Sequence, residues 1–355
     1  MSENVIDLLT QWAYQGVYYI VYHLTVALTA LIQRSSWLYW PYVVSSLLIA
    51  AAVLTWRSRV ATRRGADADL ARPLSRALWW HRSARADYAL YLANALILPL
   101  VLTPLLPSIG TVCAALGSPD CLSGATSAGM QASGAVGASV AINDAAAIAL
   151  RIIWTLLFFI ALDFGRFLAH CLLHDCPALW AFHRLHHSAQ VLTPITAFRA
   201  HPVELLIMAW GPLASTAVVT LIFNRLSGHP VESFTFLGLH LLLALTNLID
   251  NLRHSSVWVS YGKRVGRWLI SPAHHQLHHS CEPRHMGCNR GFTLALWDRL
   301  YGTLYIPGIE PESFRLGLGD GSEPAWHRLT HAYLQPFREC LSCLVAWVRG
   351  RPRNA

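Results

Sequence analysis

Long apolar stretches alternate with shorter polar ones along the chain. Six of the apolar runs approach the ~17–25 residues that a helix needs to cross a bilayer. They lie at Tyr14–Ile32, Leu38–Trp56, Tyr88–Leu106, Ala145–Leu162, Val203–Phe223 and Phe234–Ile249. A short turn at Ser227–Pro230 joins the last two into a hairpin, whose second arm is short enough to be re-entrant or tilted. The pattern predicts an all-α, polytopic membrane helical bundle with about four to six spans.

Composition agrees with membrane spans rather than with a soluble fold. Hydrophobic residues make up 54% of the chain of 355 residues, and charged residues only 13%. Soluble globular chains carry about 25% charged residues. This balance excludes intrinsic disorder, a coiled coil and a secreted disulfide scaffold.

The placement of arginine predicts the orientation. Eight arginines lie in the connector between the second and third runs, at Arg57, Arg59, Arg63, Arg64, Arg72, Arg76, Arg82 and Arg85. Cytoplasmic loops are enriched in Arg and Lys, so this connector is predicted to be cytoplasmic, and the net charge of +8 to reflect topology rather than nucleic-acid binding. The loop Thr103–Ala145 has neither residue and is placed on the opposite side, where Cys113 and Cys121 are either a disulfide or two free thiols.

Alternation of the later spans returns residues 170–201 and 250–355 to the cytoplasm. We therefore expect an integral, multi-pass protein of a bacterial inner membrane, with a cytoplasmic helical cap. Three regions are predicted: an N-terminal membrane region with three spans (1–145), a central region (146–307) and a C-terminal tail (308–355). In the tail, residues 325–348 are predicted to form an amphipathic helix on the membrane surface, kinked or interrupted at Pro336.

Histidines are concentrated in the central region. Fourteen of the 18 lie between His170 and His285. Three clusters are His170-x-x-x-His174, His183-x-x-His186-His187 and His275-x-x-His278-His279. Helical residues three or four apart share a face, so each cluster can direct its imidazoles toward one point. Imidazole is a ligand for iron, copper, zinc or nickel, and eight nitrogens exceed the three or four that one such ion usually takes. The clusters therefore predict two metal ions.

Two other interpretations stay open at this point. One is a zinc hydrolase or structural zinc protein, although the chain has no H-E-x-x-H motif and no cysteine at the spacing of a structural site. The other is a metal transporter, whose ligands would lie near the bilayer midplane, whereas these clusters follow the ends of spans.

Two further segments follow the histidine clusters, and the order of clusters and segments together is that of a known family. Phe198-Arg-Ala-His201-Pro-Val-Glu204 follows the second cluster, and Leu296-Trp-Asp-Arg-Leu-Tyr-Gly-Thr303 follows the third. Over roughly Trp154–Pro307 the chain resembles the fatty acid hydroxylase and sterol desaturase superfamily of integral-membrane, non-haem di-iron oxygenases. The resemblance implies that residues 146–307 are the catalytic domain, and it does not extend to residues 1–140.

The resemblance also implies a ligand set. Carried over residue by residue, it assigns metal ligation to His170, His174, His183, His186, His187, His275, His278 and His279. A ninth ligand of the superfamily corresponds to His254, 21 residues before His275, although serine follows where asparagine is usual.

Three residues are candidates for orienting these ligands. Metal-bound imidazoles usually donate their second N–H to a carboxylate or carbonyl. His201 is predicted either to ligate or to hydrogen-bond a ligand, with Glu204 fixing its tautomer, and Asp163 shares a helix face with His170. For His201 and His254 the alternative is a role at a helix end.

The implied function is lipid oxidation with two iron ions as cofactor and O2 as co-substrate. Such a centre removes hydrogen from an unactivated C–H bond, the first step of both hydroxylation and desaturation, and apolar spans admit a sterol, fatty-acyl or isoprenoid substrate. The sequence contains no nucleotide-binding or haem-attachment motif, so electrons are expected from a ferredoxin- or cytochrome-like donor and its reductase. The alternative is a non-catalytic or hydrolytic zinc-binding membrane protein.

Overall fold

The computed structural model describes residues 2–63, 75–105 and 145–350, and these are mostly helical. The α-helices are α1 (Ser2–Leu28), α2 (Trp40–Arg63), α3 (Arg76–Trp79), α4 (Arg82–Leu105), α5 (Ala145–Asp175), α6 (Pro177–His187), α7 (Pro202–Ser227), α8 (Leu241–Asp250), α9 (Gly262–Gly266), α10 (Pro272–His278), α11 (Leu296–Tyr301) and α12 (Leu329–Val348). Short 3₁₀ turns lie at Ala30–Ile32, Pro194–Phe198, Pro283–His285 and Ala325–His327. Strand β1 (Thr235–Phe236) pairs antiparallel with β2 (Leu239–His240). The prediction of a helical fold is confirmed.

Three stretches are long and apolar enough to cross a membrane within the described ranges: Trp40–Arg59 of α2, α5 and α7. Helices α1 and α4 cover the first and third predicted spans but are not among these three, so the higher span count stays a prediction. The sixth predicted span is wrong as a full crossing. Its run contains the β1–β2 hairpin, which turns at Leu237 (φ 54°) and Gly238 (φ 80°), and only the 10 residues of α8 follow as helix.

Helices α5 and α7 cross closely at a pair of glycines. A Cβ added at Gly165 would lie 2.5 Å from the carbonyl oxygen of Gly211, so no larger residue fits without a shift. One turn away, Ser215 Oγ donates a hydrogen bond to the carbonyl of Ala161 (2.7 Å). Because later residues of α7 meet earlier residues of α5, the two helices run antiparallel.

An apolar core fills the space between α5, α7 and α8 toward the start of α5. Its buried members are Trp154, Phe158, Phe159, Leu162, Phe223, Val231 and Leu243. This core fixes the α5–α7 pair and leaves the other end of α5 to carry polar residues.

The N- and C-terminal regions pack directly against the central region. On α4, Asp87 forms a buried ion pair with Arg199 (2.8 Å), and Asn94 donates a hydrogen bond to the carbonyl of Ala200 (2.9 Å). On α12, Tyr333 donates to Asn94 (2.8 Å). Helix α12 matches the predicted tail helix and runs through Pro336 without interruption. Its place on a membrane surface and the three domain boundaries stay predictions, and Cys113 and Cys121 lie outside the described residues.

Candidate metal centre

Nine imidazoles converge in two groups at the end of α5. A five-histidine group consists of His170, His174, His183, His187 and His278. A four-histidine group consists of His186, His254, His275 and His279. Within each group, the nitrogens that could ligate lie within 4.8 Å of one another. These nine residues are the same nine to which the sequence assigned metal ligation.

Helix geometry explains how three sequence clusters become two groups. On α6, His183 and His187 are four residues apart and share a face that belongs to the five-histidine group, whereas His186 is directed to the four-histidine group. The cluster at α10 is divided the other way: its pair four residues apart, His275 and His279, belongs to the four-histidine group, and His278 belongs to the five-histidine group. The two groups are therefore adjacent, and α6 and α10 contribute to both.

The Nε2 atoms within each group are spaced like ligands of one ion. In the five-histidine group, the Nε2 of His183 lies 3.1 Å from that of His170 and 3.2 Å from that of His187. In the four-histidine group, the Nε2 of His254 lies 3.0 Å from that of His275 and 3.3 Å from that of His186. Two nitrogens at about 2.1 Å from one metal ion, and at right angles, are about 3.0 Å apart. The spacing therefore fits a metal ion in each group.

Four of the imidazoles have their second nitrogen fixed by an oxygen acceptor. The Nδ1 partners are the carbonyl of Arg290 for His170 (2.7 Å), the carbonyl of Cys288 for His278 (2.7 Å), the carbonyl of Arg199 for His186 (3.1 Å) and Glu204 Oε1 for His183 (2.8 Å). In each neutral ring the proton is then on Nδ1, and the Nε2 lone pair faces its group.

Lone pairs that face one another need a cation. His170 and His183 are both held in this tautomer, so their Nε2 atoms cannot hydrogen-bond to each other across 3.1 Å. The Nε2 of His278 is buried and has no partner among the described residues. A metal ion bound by these nitrogens removes the repulsion between the facing lone pairs and gives the buried Nε2 of His278 a partner. The residues present therefore fit the metal pair.

Burial keeps the imidazoles neutral. It lowers the pKa of His186 to about 4. Burial, followed by the charges of neighbouring imidazoles, also holds the pKa values of His183, His187 and His275 well below the ordinary range. Neutral imidazole is the form that binds metal, so the site is prepared for ions at physiological pH.

The residues predicted to orient the ligands have different partners from those expected. Glu204 Oε1 contacts one of the converging imidazoles, that of His183 rather than that of His201. Its Oε2 accepts the backbone N–H of His201 (3.2 Å). The prediction for His201 is wrong. Its Nδ1 accepts the N–H of Val203 (3.1 Å) at the start of α7, and its Nε2 donates to the carbonyl of Tyr333 (3.2 Å), so neither ring nitrogen is free for a metal or a ligand.

Asp163 is also not bonded to an imidazole, contrary to the prediction. It accepts hydrogen bonds from the N–H groups of Thr293 and Leu294 and from Trp297 Nε1, each at 3.0 Å. It therefore fastens the segment before α11 to α5, and this segment follows Arg290, whose carbonyl accepts from His170.

Further positioning residues escaped sequence reasoning. Asp298 accepts the N–H groups of Arg290 and Gly291 (both 2.7 Å) and so shapes the loop that presents the Arg290 carbonyl. Arg199, fully buried, donates from Nε to the carbonyl of Leu185 (3.0 Å) while its own carbonyl accepts from His186. The only sequence signal was that both residues lie in the segments that carry the family resemblance.

Comparisons with known proteins agree with this geometry. The family model described as fatty acid hydroxylase matches residues 155–303. Ornithine lipid hydroxylase OlsE of Rhizobium tropici is 32% identical over 157 residues, 44% of this chain and 43% of the relative. Alkylglycerol monooxygenase of Xenopus tropicalis is 31% identical over 222 residues, 56% of this chain and 44% of the relative. Human cholesterol 25-hydroxylase is 27% identical over 160 residues, 45% of this chain and 53% of the relative.

The aligned region covers about half the length of these curated relatives, or less. No solved structure matches the chain. All nine converging histidines lie within the matched residues. Residues 155–303 therefore match the fatty acid hydroxylase family model, and this match supports the resemblance of the histidine clusters to the wider superfamily.

Proposed function

We propose that the protein is a membrane-bound, non-haem di-iron oxygenase that hydroxylates or desaturates a lipid. The observation that carries this proposal is the pair of adjacent all-histidine groups with inward-facing Nε2 atoms. The relatives named as hydroxylases and monooxygenases of ornithine lipid, alkylglycerol and cholesterol support a lipid as substrate.

The donor set favours iron. Among the described residues, both groups consist of histidine alone, without cysteine or carboxylate. Structural zinc usually takes four ligands that include cysteine, whereas imidazole also suits iron and leaves it open positions. Two irons bound here would supply O2 activation and removal of hydrogen from an unactivated C–H bond.

The chain itself prepares the site. Glu204 and the carbonyls of Arg290, Cys288 and Arg199 hold the Nδ1 protons, so the ligating lone pairs keep their direction without reorganisation. All of the converging imidazoles except that of His174 are buried, which keeps water away from the reacting centre.

A lipid can approach along α5. The outward face of this helix is apolar and exposed as far as Phe164, Leu168 and Leu172, which lie at the level of His170. This apolar surface supports access of a membrane lipid to the depth of the histidine groups. We further propose a cytoplasmic position for them, in a bacterial inner membrane, and reduction by a ferredoxin- or cytochrome-like donor with its reductase.

The test is a comparison of lipid extracts from cells that express the wild-type chain or the variant His278→Ala under ¹⁸O2. A lipid that gains one ¹⁸O atom indicates hydroxylation, and a lipid that loses two hydrogens without label indicates desaturation. The variant should form at least ~100-fold less product, because an all-histidine group loses a ligand. His229→Ala, which removes an exposed imidazole after α7, is the control and should match wild type.

A zinc-dependent hydrolase would give a different result. Hydrolysis takes its oxygen from water, so products would form without ¹⁸O and without loss of hydrogen. Iron-loaded wild-type protein that changes no lipid would contradict the oxygenase proposal.

A further inference from the structure

An arginine lies one helical turn from the histidine groups on a candidate membrane span. Arg166 is on α5, four residues before His170, so the two residues share a helix face about 6 Å apart along the axis. The side chain is half-buried. A charged group in a membrane span is costly, and such residues are usually paired or functional.

Arg166 has no such partner within residues 2–63, 75–105 and 145–350. Its guanidinium lies over the ring of Phe292, 5.7 Å from the centroid, and takes part in no hydrogen bond or ion pair there. By contrast, Arg151 on the same helix donates to the carbonyl of Ser233 (3.2 Å). The Arg166 nitrogens are also not among the fully enclosed atoms, so a ligand can reach them.

A second arginine near the histidine groups, Arg253, has N–H groups without a hydrogen-bond partner among the described residues. Arg253, which directly precedes His254, is buried and donates from Nε to Asp250 Oδ1 (2.9 Å). Its two terminal amino groups have no hydrogen-bond partner in the described part of the chain. Burial raises the pKa of Asp250, and the positive charges of Arg253 and Arg166 oppose that rise, so the three groups lie within electrostatic reach of one another.

Neither nearby carboxylate accepts a hydrogen bond from Arg166 in the described part of the chain. Asp163 is within electrostatic reach of Arg166, but its oxygens already accept three N–H groups from the segment before α11. Asp250 is committed to Arg253. Both carboxylates are therefore engaged by other donors, and the N–H groups of Arg166 stay open to a ligand beside the imidazoles of His170 and His254.

We infer that Arg166 and Arg253 bind an anionic group of the lipid substrate, a phosphate or a carboxylate, next to the histidine groups. A guanidinium presents paired N–H donors that match either anion. The inference rests on the proposed function and narrows its substrate class to lipids with an anionic headgroup. Because Arg166 is one turn from His170 and Arg253 adjoins His254, the oxidised carbon lies within a few bonds of that group rather than near the end of an acyl chain.

The test is a binding measurement that needs no turnover. Full-length protein in detergent micelles is titrated with three fluorescent probes that share one acyl chain: a lysophosphatidic acid, an N-acyl amino acid and a neutral monoacylglycerol. Wild type should bind at least one anionic probe ~10–100-fold more tightly than the neutral one, the range expected for hydrogen bonds to a charged group. The better anionic probe identifies phosphate or carboxylate as the recognised group.

Variants test whether Arg166 causes the preference for an anionic probe. Arg166→Gln should bind all three probes with nearly the affinity of the neutral one, and Arg166→Lys should keep part of the preference because it keeps the charge. Arg151→Gln removes one charge from the same helix and should behave like wild type. The metal content of each variant is measured in parallel, so that a damaged histidine site is distinguished from a lost anion site.

Two results would overturn the inference. One is equal binding of anionic and neutral probes by wild type. The other is an Arg166→Gln variant that keeps the preference, or that loses affinity for the neutral probe equally, which would make Arg166 a structural residue. A protein that shows the preference but oxidises no lipid would instead refute the proposed function and leave the anion site standing.

Discussion

Replacing Glu204 by glutamine should weaken one of the two metal sites and spare the other. The carboxylate of Glu204 is buried and serves two donors, His183 Nδ1 (2.8 Å) and the backbone N–H of His201 (3.2 Å). Glutamine offers only one acceptor oxygen, so one buried N–H loses its partner, at a cost of about 1–3 kcal/mol. Loss of such support for a ligand typically lowers metal affinity about 10–100-fold, equivalent to ~1.4–2.7 kcal/mol, so the two magnitudes agree.

His183 belongs to the five-histidine group, so the effect of Glu204→Gln should appear at the metal ion of that group. Metal content per chain is measured after equilibration with increasing concentrations of a chelator. The variant should release its first ion at about 10–100-fold less chelator and its second ion at the wild-type concentration. Glu232→Gln, at an exposed carboxylate, is the control. Unchanged release of both ions, or equal weakening of both, would refute the assignment of Glu204 to one group.

Two further predictions concern stability. Gly165→Ala should lower the unfolding temperature in detergent by several degrees, because the new Cβ would lie 2.5 Å from the Gly211 carbonyl and force α5 and α7 apart. Gly16→Ala, where a Cβ meets nothing within 4 Å, is the control and should leave the unfolding temperature unchanged or raise it slightly, because alanine favours the helix interior. A Gly165→Ala variant that unfolds no lower than wild type would argue against close packing. The metal-free protein should lose stability as pH falls. His186 has a pKa lowered from 6.5 to about 4 in the folded state, so only the unfolded state gains protons between these values, and an unfolding temperature that is constant from pH 7.5 to pH 5 would contradict this.

Much of the candidate site follows from the sequence because its ligands are local in helices. Spacing of three and four residues places imidazoles on one helix face, so clusters such as His183-x-x-His186-His187 have few possible geometries. The same spacing places His274, next to His275 in the chain, on a different face of the helix. In the structure, His274 bonds Ser271 (2.7 Å) and the carbonyl of Gly266 (3.1 Å), as expected for a residue on another face.

The partners of the ligands could not be predicted in this way. Asp87 and Arg199 are 112 positions apart, and Asp163 bonds a segment about 130 positions later. No local period encodes such pairs, since they depend on how the helices pack. His201 illustrates the error that results: its neighbour Glu204 suggested a role at the metal, whereas its ring is occupied by α7 and α12.

Apolar runs were likewise an incomplete guide to the fold. The pattern gave the positions of α2 and α7 closely, because these helices are apolar over a bilayer thickness. It gave the start of α5 but not its end, since the helix continues 13 residues beyond Leu162 and carries His170 and His174. Phe234–Ile249 has the same hydrophobicity but contains a glycine turn and a small hairpin, and hydrophobicity alone does not distinguish a buried strand from a buried helix.

Metal content is the most direct test of the central claim. Protein purified anaerobically in mild detergent from iron-replete cells is examined by elemental analysis and Mössbauer spectroscopy. Two adjacent groups of five and four histidines predict about two irons per chain, magnetically coupled and responsive to reductant and O2. Zinc alone, persisting after expression in zinc-depleted and iron-rich medium, would contradict the account and favour a structural or hydrolytic zinc protein.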